Sequence, residues 1–329
     1  MKRKDNIRWG IVGLGNIAHH FAKDLKRIDK GELVAVASRN ISKAKDFAAQ
    51  YEALHAFGSY DALFENSEVD IVYIATPHSS HAQLAIQAME HGKHVLCEKP
   101  MGVNSKEVKA MIAASRKHQV FLMEALWSRF NPTICKVKTL IEEDVIGAVK
   151  YIHADFVFNA MDRDENSRLL NPELAGGSLL DIGIYPIFLA YLILGKPEII
   201  NANSTFHTNG VEVQTAMLFN YNNAHAVLYS GLTSKSEGKA MITGTKGSLF
   251  IHPRWHESHS FTLVKGEEEE HIKLPPNGKG YTHEIIEAHN CIQANTIESS
   301  LWSHQNSMDL ITLLDSVREQ TGITFPFET

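Results

Sequence analysis

Positive charge is in deficit in this chain: 32 lysines and arginines face 38 aspartates and glutamates, a net charge of −6. A nucleic-acid partner calls for a basic face, so that class of ligand is not expected. Cysteine is scarce. Cys97, Cys135 and Cys291 are widely spaced and odd in number, which points to free thiols, a reducing compartment and a cytoplasmic protein. No stretch reads as long and apolar enough to span a bilayer, so no membrane role is expected. Lys2-Arg3-Lys4 before an apolar run has the outline of a secretion signal, but Asp5, Asn6 and Arg8 interrupt it. Repeats and low-complexity tracts are missing apart from Glu267–Glu270, which reads as a solvated turn between strands. His252-x-x-x-His256-x-x-His259 has a superficial metal spacing, but Pro253 breaks any helix and no Cys or Asp partner lies nearby, so no metal is expected.

What is present is an ordinary globular composition, 44% hydrophobic and 21% charged over 329 residues, enough for two domains with proper cores. Up to about Ala125 short apolar strands alternate with amphipathic helices: Ile7–Val12, Leu33–Ala37, Val69–Ala75, His94–Cys97 and Val120–Glu124 are the strands. That grammar predicts an α/β fold with a doubly wound parallel sheet over 1–125. After a helix around Pro132–Glu143 the pattern changes. Val149–Phe158, Val211–Phe219, Ala224–Leu232, Lys239–Thr243, Ser248–Ile251, Phe261–Val264 and His271–Leu274 read as strands joined by turns such as Asn222-Asn223 and Lys265-Gly266. Residues 126–329 are therefore expected to form an α+β domain on an open, mostly antiparallel sheet. Such a sheet exposes a broad face, and a homodimer or higher oligomer would cover it.

The first strand runs into Gly13-x-Gly15-x-x-Ala18 and then a helix. This is the context of a dinucleotide fingerprint: Gly13 for the tight turn, Gly15 for close approach of a pyrophosphate, Ala18 for helix–strand packing. Asn16 and Ile17 open the helix, whose free N–H groups face the phosphates. At the end of the second strand an NAD-preferring fold usually carries an acid; here stand Ser38 and Arg39. A guanidinium there binds a 2′-phosphate, so NADP is preferred, with NAD still open.

Three further segments carry polar side chains to strand ends or a helix start. Thr76-Pro77-x-x-x-His81 follows an apolar strand, so Thr76, Pro77 and His81 are cofactor candidates; an N-cap cluster at Ser80 explains the same residues. Glu98-Lys99-Pro100 ends another strand, where Lys99 is placed for a substrate hydroxyl and a cofactor ribose. Gly176-Gly177 precedes Asp181-x-x-x-Tyr185. On an α-helix that spacing stacks an acid and a phenol on one face. The pair suits proton transfer with an alcohol oxygen if a cation lowers the phenol pKa; a buried tyrosine satisfied by Asp181 is the plainer alternative.

Taken together, these segments resemble the Gfo/Idh/MocA family of pyridine-nucleotide oxidoreductases over nearly the whole chain. Tyr185, with Glu124-Ala125-Leu126-Trp127-Ser128-Arg129-Phe130-Asn131-Pro132, is similar to the dimeric dihydrodiol dehydrogenase and NADP-dependent D-xylose dehydrogenase branch. The resemblance implies Lys99 and Tyr185 as catalytic pair beside Asp181, cofactor contacts from Glu98 and Lys99, and a substrate pocket including Trp127, Arg129, Phe156 and Trp255. Ala175 departs from it, standing where the branch commonly has a third glycine. The implied activity is hydride transfer between NADP and a hydroxyl or carbonyl of a sugar, polyol or cyclic diol. Two other readings are a hydrolase that oxidises its sugar transiently with tightly held NAD, and a non-catalytic nucleotide sensor, against which Lys99 and Tyr185 argue.

Overall fold

The computed structural model describes residues 6–328; the basic segment Lys2–Lys4 lies outside them. The chain forms two compact units. The first comprises residues up to Trp127 together with Asn277–Met308, the second Ser128–Pro276 together with Asp309 onward. The division expected at 125 thus falls at 127, and the expectation that everything beyond it forms one domain is corrected by the return of 277–308.

In the first unit six strands, β1 (Ile7–Val12), β2 (Gly31–Ala37), β3 (His55–Phe57), β4 (Ile71–Ile74), β5 (His94–Glu98) and β6 (Leu122–Ala125), make one sheet in the order β3-β2-β1-β4-β5-β6. Every pairing is parallel. Helices α1 (Asn16–Leu25), α2 (Ile41–Tyr51), α3 (Tyr60–Phe64), α4 (His81–Glu90) and α5 (Ser105–His118) connect the strands. All four residues of β4 are buried, as the strands of a parallel sheet covered on both faces must be. The strand order reverses between β1 and β4, so the carboxyl ends of these two neighbours flank the crevice where such folds bind ligands. The three-residue edge strand β3 has no apolar run, which is why periodicity misses it.

Buried polar groups explain why 277–308 belongs to this unit. The carboxylate of Asp24, on α1, accepts the N–H groups of Lys279, Gly280 and Tyr281. Trp9 Nε1 donates to His289 Nε2 at 2.9 Å, and burial pushes that imidazole down to about 4, so it is neutral and able to accept. Glu124 accepts from Trp302 Nε1 and from the Ser307 hydroxyl. A buried carboxylate left without these donors would be strongly destabilising, so the three anchors fix the segment.

In the second unit β7 (Val149–Val157), β8 (Ile199–Phe206), β9 (Glu212–Tyr221), β10 (Ala224–Gly231), β11 (Ala240–Gly244), β12 (Ser248–Ile251), β13 (Ser260–Lys265) and β14 (Glu268–Lys273) form a sheet in the order β14-β13-β12-β11-β7-β10-β9-β8. All neighbours are antiparallel except β7 and β10. Of the acidic run expected as a turn, Glu267 does sit in the turn with Gly266, at φ +60°, but Glu268–Glu270 belong to the edge strand β14. Solvated glutamates on an edge discourage strand addition. Helix α6 (Pro132–Glu142) precedes β7, and helix α7 (Ile184–Leu194) packs on β7 and β10. Contrary to expectation, one stretch, Pro172–Leu194, is long and apolar enough to cross a membrane by length and composition, but 83% of an 18-residue apolar window within it is buried inside the fold. Its apolar surface is spent on the core.

Candidate active site

In the first unit the site is built by β1 and β4. Gly13 has φ +87°, and a Cβ on it would lie 2.7 Å from the Ala75 carbonyl and the Thr76 nitrogen. No other residue fits that approach. At Gly15 a Cβ would meet nothing within 4 Å, which leaves open space beside the α1 N-terminus, where no side chain caps the N–H groups. Thr76 is buried, and its Oγ1 has no hydrogen-bond partner among the described residues. An uncapped helix start, an open glycine and an orphaned hydroxyl in one crevice fit a dinucleotide pyrophosphate. Asn16 and Ile17 are exposed at that helix start and Ala18 is fully buried beneath it. Ser38 Oγ accepts from the Asn40 N–H while Arg39 is exposed, so the arginine is open to a ligand and the serine shapes the turn.

The ring of His81 is fully buried, with Nδ1 2.9 Å from the Pro100 carbonyl and Nε2 2.9 Å from the Thr76 carbonyl. Both nitrogens are engaged by backbone, so it is a strut between two strand ends. Pro77 sits half-buried just ahead of a short 3₁₀ turn, His78–Ser80. Glu98 receives the Tyr73 hydroxyl on one carboxylate oxygen and the Lys99 N–H, at 3.2 Å, on the other. It therefore holds the turn that carries Lys99, itself half-buried, into the cis Lys99–Pro100 bond. Trp127 stacks face to face on Tyr281, with centroids 4.9 Å apart. Gly280 lets this pair form: at φ +121°, a Cβ there would press on the indole at 3.2 Å. Tyr281 lies 154 residues beyond Trp127 in the sequence, and only the returning segment brings it here.

In the second unit the chain enters α7 through a π-helical turn, Leu179–Gly183, with Asp181 inside it and Tyr185 just after it. Such turns recur at functional sites. Asp181 Oδ1 accepts from Arg168 Nη1 at 2.7 Å. The N-terminus of this helix is held by a residue with no local sequence signal. Glu212, buried on β9, accepts from the Ser178 hydroxyl, the Leu179 N–H and the Thr215 hydroxyl. Burial nevertheless raises its pKa. The two glycines serve that junction. A Cβ on Gly176 would come within 2.8 Å of the Leu169 and Asn171 carbonyls, and Gly177 has φ +125° against the Glu212 carboxylate.

Tyr185 faces an aromatic wall. Phe156 lies 5.5 Å away and His256 5.1 Å away, and these two stack on each other at 4.1 Å. Phe156 thus borders the phenol, and Trp255 is held by the backbone of β7. It is fully buried, with Nε1 donating to the Asp155 carbonyl at 2.6 Å, and so braces β7. The ring beside Tyr185 is its neighbour His256, read in the sequence only as part of a histidine spacing. His252, of that same spacing, points elsewhere and stacks on His271. Arg129 is buried, with its guanidinium against Cys135 Sγ.

These features find their counterpart in known proteins. A model of an oxidoreductase family with an NAD-binding Rossmann fold matches residues 7–126, and one of the GFO/IDH/MocA C-terminal domain matches 134–250. The chain belongs to the Gfo/Idh/MocA family and is an NAD(P)-dependent oxidoreductase. Among its relatives, trans-1,2-dihydrobenzene-1,2-diol dehydrogenase of Xenopus laevis is 34% identical, covering 97% of this chain and 99% of that one. The human protein of the same name is also 34% identical, with 97% and 98% covered. Among solved structures, a 3-ketoreductase from Actinomadura kijaniata in complex with NADP and TDP-benzene superposes with a TM-score of 0.87 at 25% identity, over 96% of this chain and 98% of that one. The aldose-aldose oxidoreductase from Caulobacter crescentus complexed with glycerol gives 0.88 at 25% identity, with the same coverage.

Proposed function

We propose that this oxidoreductase prefers NADP and acts on a vicinal diol, polyol or sugar hydroxyl or its carbonyl partner. The observation that carries the reading is the surround of Tyr185: a phenol against Phe156 and His256, beside an Asp181 already paired to Arg168. An acid engaged by a guanidinium is held as carboxylate and is a poor proton donor. Proton transfer with the substrate oxygen therefore falls to Tyr185. Lys99 serves as the cation that makes a phenol acidic enough and as a donor to a ribose hydroxyl. The crevice of Gly13, Gly15, Asn16, Ile17, Ala18 and Thr76 holds the cofactor phosphates, and Arg39 with Ser38 receives the 2′-phosphate. The cofactor supplies the hydride chemistry; the chain supplies orientation and proton control. Phe156 offers an aromatic face suited to a ring-shaped substrate. A panel of trans-diols, polyols and aldoses, scored by NADPH absorbance in both directions, tests this. Turnover of glycosides with no net change in cofactor would replace it with a hydrolytic reading.

We further propose a cytoplasmic homo-oligomer assembled through the outer face of the eight-stranded sheet. Cross-strand register lines up Phe250, Met241, His153, Val227 and Leu218 in one row, and Phe250, Val227 and Leu218 are exposed. A single monomeric species by light scattering at micromolar concentration would overturn the oligomer.

A further inference from the structure

The histidine strut has a chemical consequence. Nδ1 and Nε2 of His81 each lie 2.9 Å from a backbone carbonyl oxygen, those of Pro100 and Thr76. A carbonyl oxygen only accepts. A neutral imidazole has one N–H, so it can serve one of these two oxygens and must turn a lone pair on the other. Only the imidazolium donates to both. The ring is fully buried, where an isolated cation is costly unless hydrogen-bonded and compensated.

Compensation is at hand in the turn His81 holds. Glu98, Glu107 and Glu124 all act on the thiol of Cys97, which lies in β5 just ahead of that turn. Glu124 accepts the Met101 N–H and Glu107 the Val103 N–H. Three carboxyl groups thus border residues 97–103, with Lys99 as a neighbouring cation. On the other side His78 lies edge-on to His81, centroids 5.6 Å apart.

We infer that His81 is a buried imidazolium that positions Lys99: its two N–H groups tie the carbonyl of Pro100, next to Lys99, to that of Thr76 in the cofactor crevice. This rests on the proposed role of Lys99 in proton transfer. Charge-assisted bonds at both ends make the link between the β4 and β5 strand ends stiffer than one neutral bond would. Loss of the proton frees one end and lets the lysine turn drift.

The test begins with the free protein and needs no activity. Nitrogen-15 NMR of histidine-labelled protein, with His81 assigned through its backbone, is expected to show both ring nitrogens protonated at pH 7. A single protonated nitrogen overturns the inference. The second arm is kinetic, on the intact enzyme with NADP and the best substrate of the panel. His81→Phe is expected to lower kcat by up to ~10²-fold through misplacement of the turn, and to erase an alkaline fall in kcat that in wild type tracks the NMR titration of His81. His81→Gln, which keeps donors but not the charge, is expected to recover part of the loss and to lack the same alkaline fall; it also serves if the phenylalanine variant does not fold. Unchanged kcat in both variants overturns the positioning role. Wild-type turnover by Lys99→Met would instead sink the catalytic reading, and leaves the NMR result to stand or fall separately.

Discussion

The two units hold their polar residues by opposite means. In the first, the crevice is made by backbone: glycines at 13 and 15, carbonyls at 75, 76 and 100, and an uncapped helix start. In the second, the helix carrying Asp181 and Tyr185 is held by side chains from distant segments: Glu212 at its start, Arg168 on the acid, Phe156 and His256 on the phenol. Backbone recognition of phosphates demands particular local conformations and so leaves a contiguous motif. Side-chain scaffolding can be supplied from anywhere in the fold, so it leaves none, and it is also the part free to change with substrate.

That contrast breaks most sharply at the phenol. Tyr185→Phe is expected to retain NADP binding and lose ~10²–10⁴-fold in turnover, the usual contribution of a general acid–base group. Lys99→Met should lose at least as much, and Asp181→Asn less, because Arg168 already occupies the acid. Measuring kcat and kcat/KM against pH for these proteins decides it; near-wild-type turnover by Tyr185→Phe would refute the assignment.

The next effect concerns scaffolding alone. Glu212→Ala leaves the Leu179 N–H without its acceptor, while the Ser178 and Thr215 hydroxyls keep only Ser230 and Ser204 as partners, and is expected to cost about 2 kcal/mol, within the range for an unsatisfied buried group. Urea unfolding reads this directly. An unchanged midpoint would mean that the helix start is held by something other than Glu212.

On the backbone-made side, Arg39→Ala should weaken NADP by ~10–100-fold, the worth of a charge-assisted hydrogen bond, and leave NAD almost untouched. Titration of both cofactors checks it, and equal losses for the two would remove the basis for NADP preference.

A fourth effect is pH-dependent and lies in the first unit. Glu284, on α8 (Thr282–Gln293), is fully buried with neither carboxyl oxygen hydrogen-bonded among the described residues. Burial foremost, then the charges of Glu98 and Asp24, push its pKa well above the ordinary value. The folded state therefore keeps a proton that the unfolded state releases, so stability falls as pH rises from the unfolded carboxyl value, ~4.3, toward the folded one. Glu284→Met should remove that slope, raising Tm more at pH 8 than at pH 4. An equal gain at both pH values would count against the protonated acid.

The smallest change is expected at the departure from the glycine pattern. Ala175 has φ +55°, a left-handed conformation costing an alanine about 1 kcal/mol. Ala175→Gly should recover part of this as a small rise in Tm, offset by the added freedom of the unfolded chain. A fall in Tm would show that packing of the buried methyl outweighs the backbone strain.

Sequence alone determined the alternating grammar of the first unit, the antiparallel character of the second, and the cofactor motif from Gly13 to Ala18, because each is written in neighbouring residues whose period or spacing has one physical cause. It also placed Lys99 and Tyr185 at a strand end and a helix start. Only the tertiary structure decided that Asn277–Met308 returns to the first unit, that His81 braces two strand ends, that Arg168 takes Asp181, and that His256 rather than Trp255 borders Tyr185. The reason is the same in each case. These contacts join residues from 5 to more than 250 positions apart, through buried hydrogen bonds and ring packing whose partners no local pattern encodes.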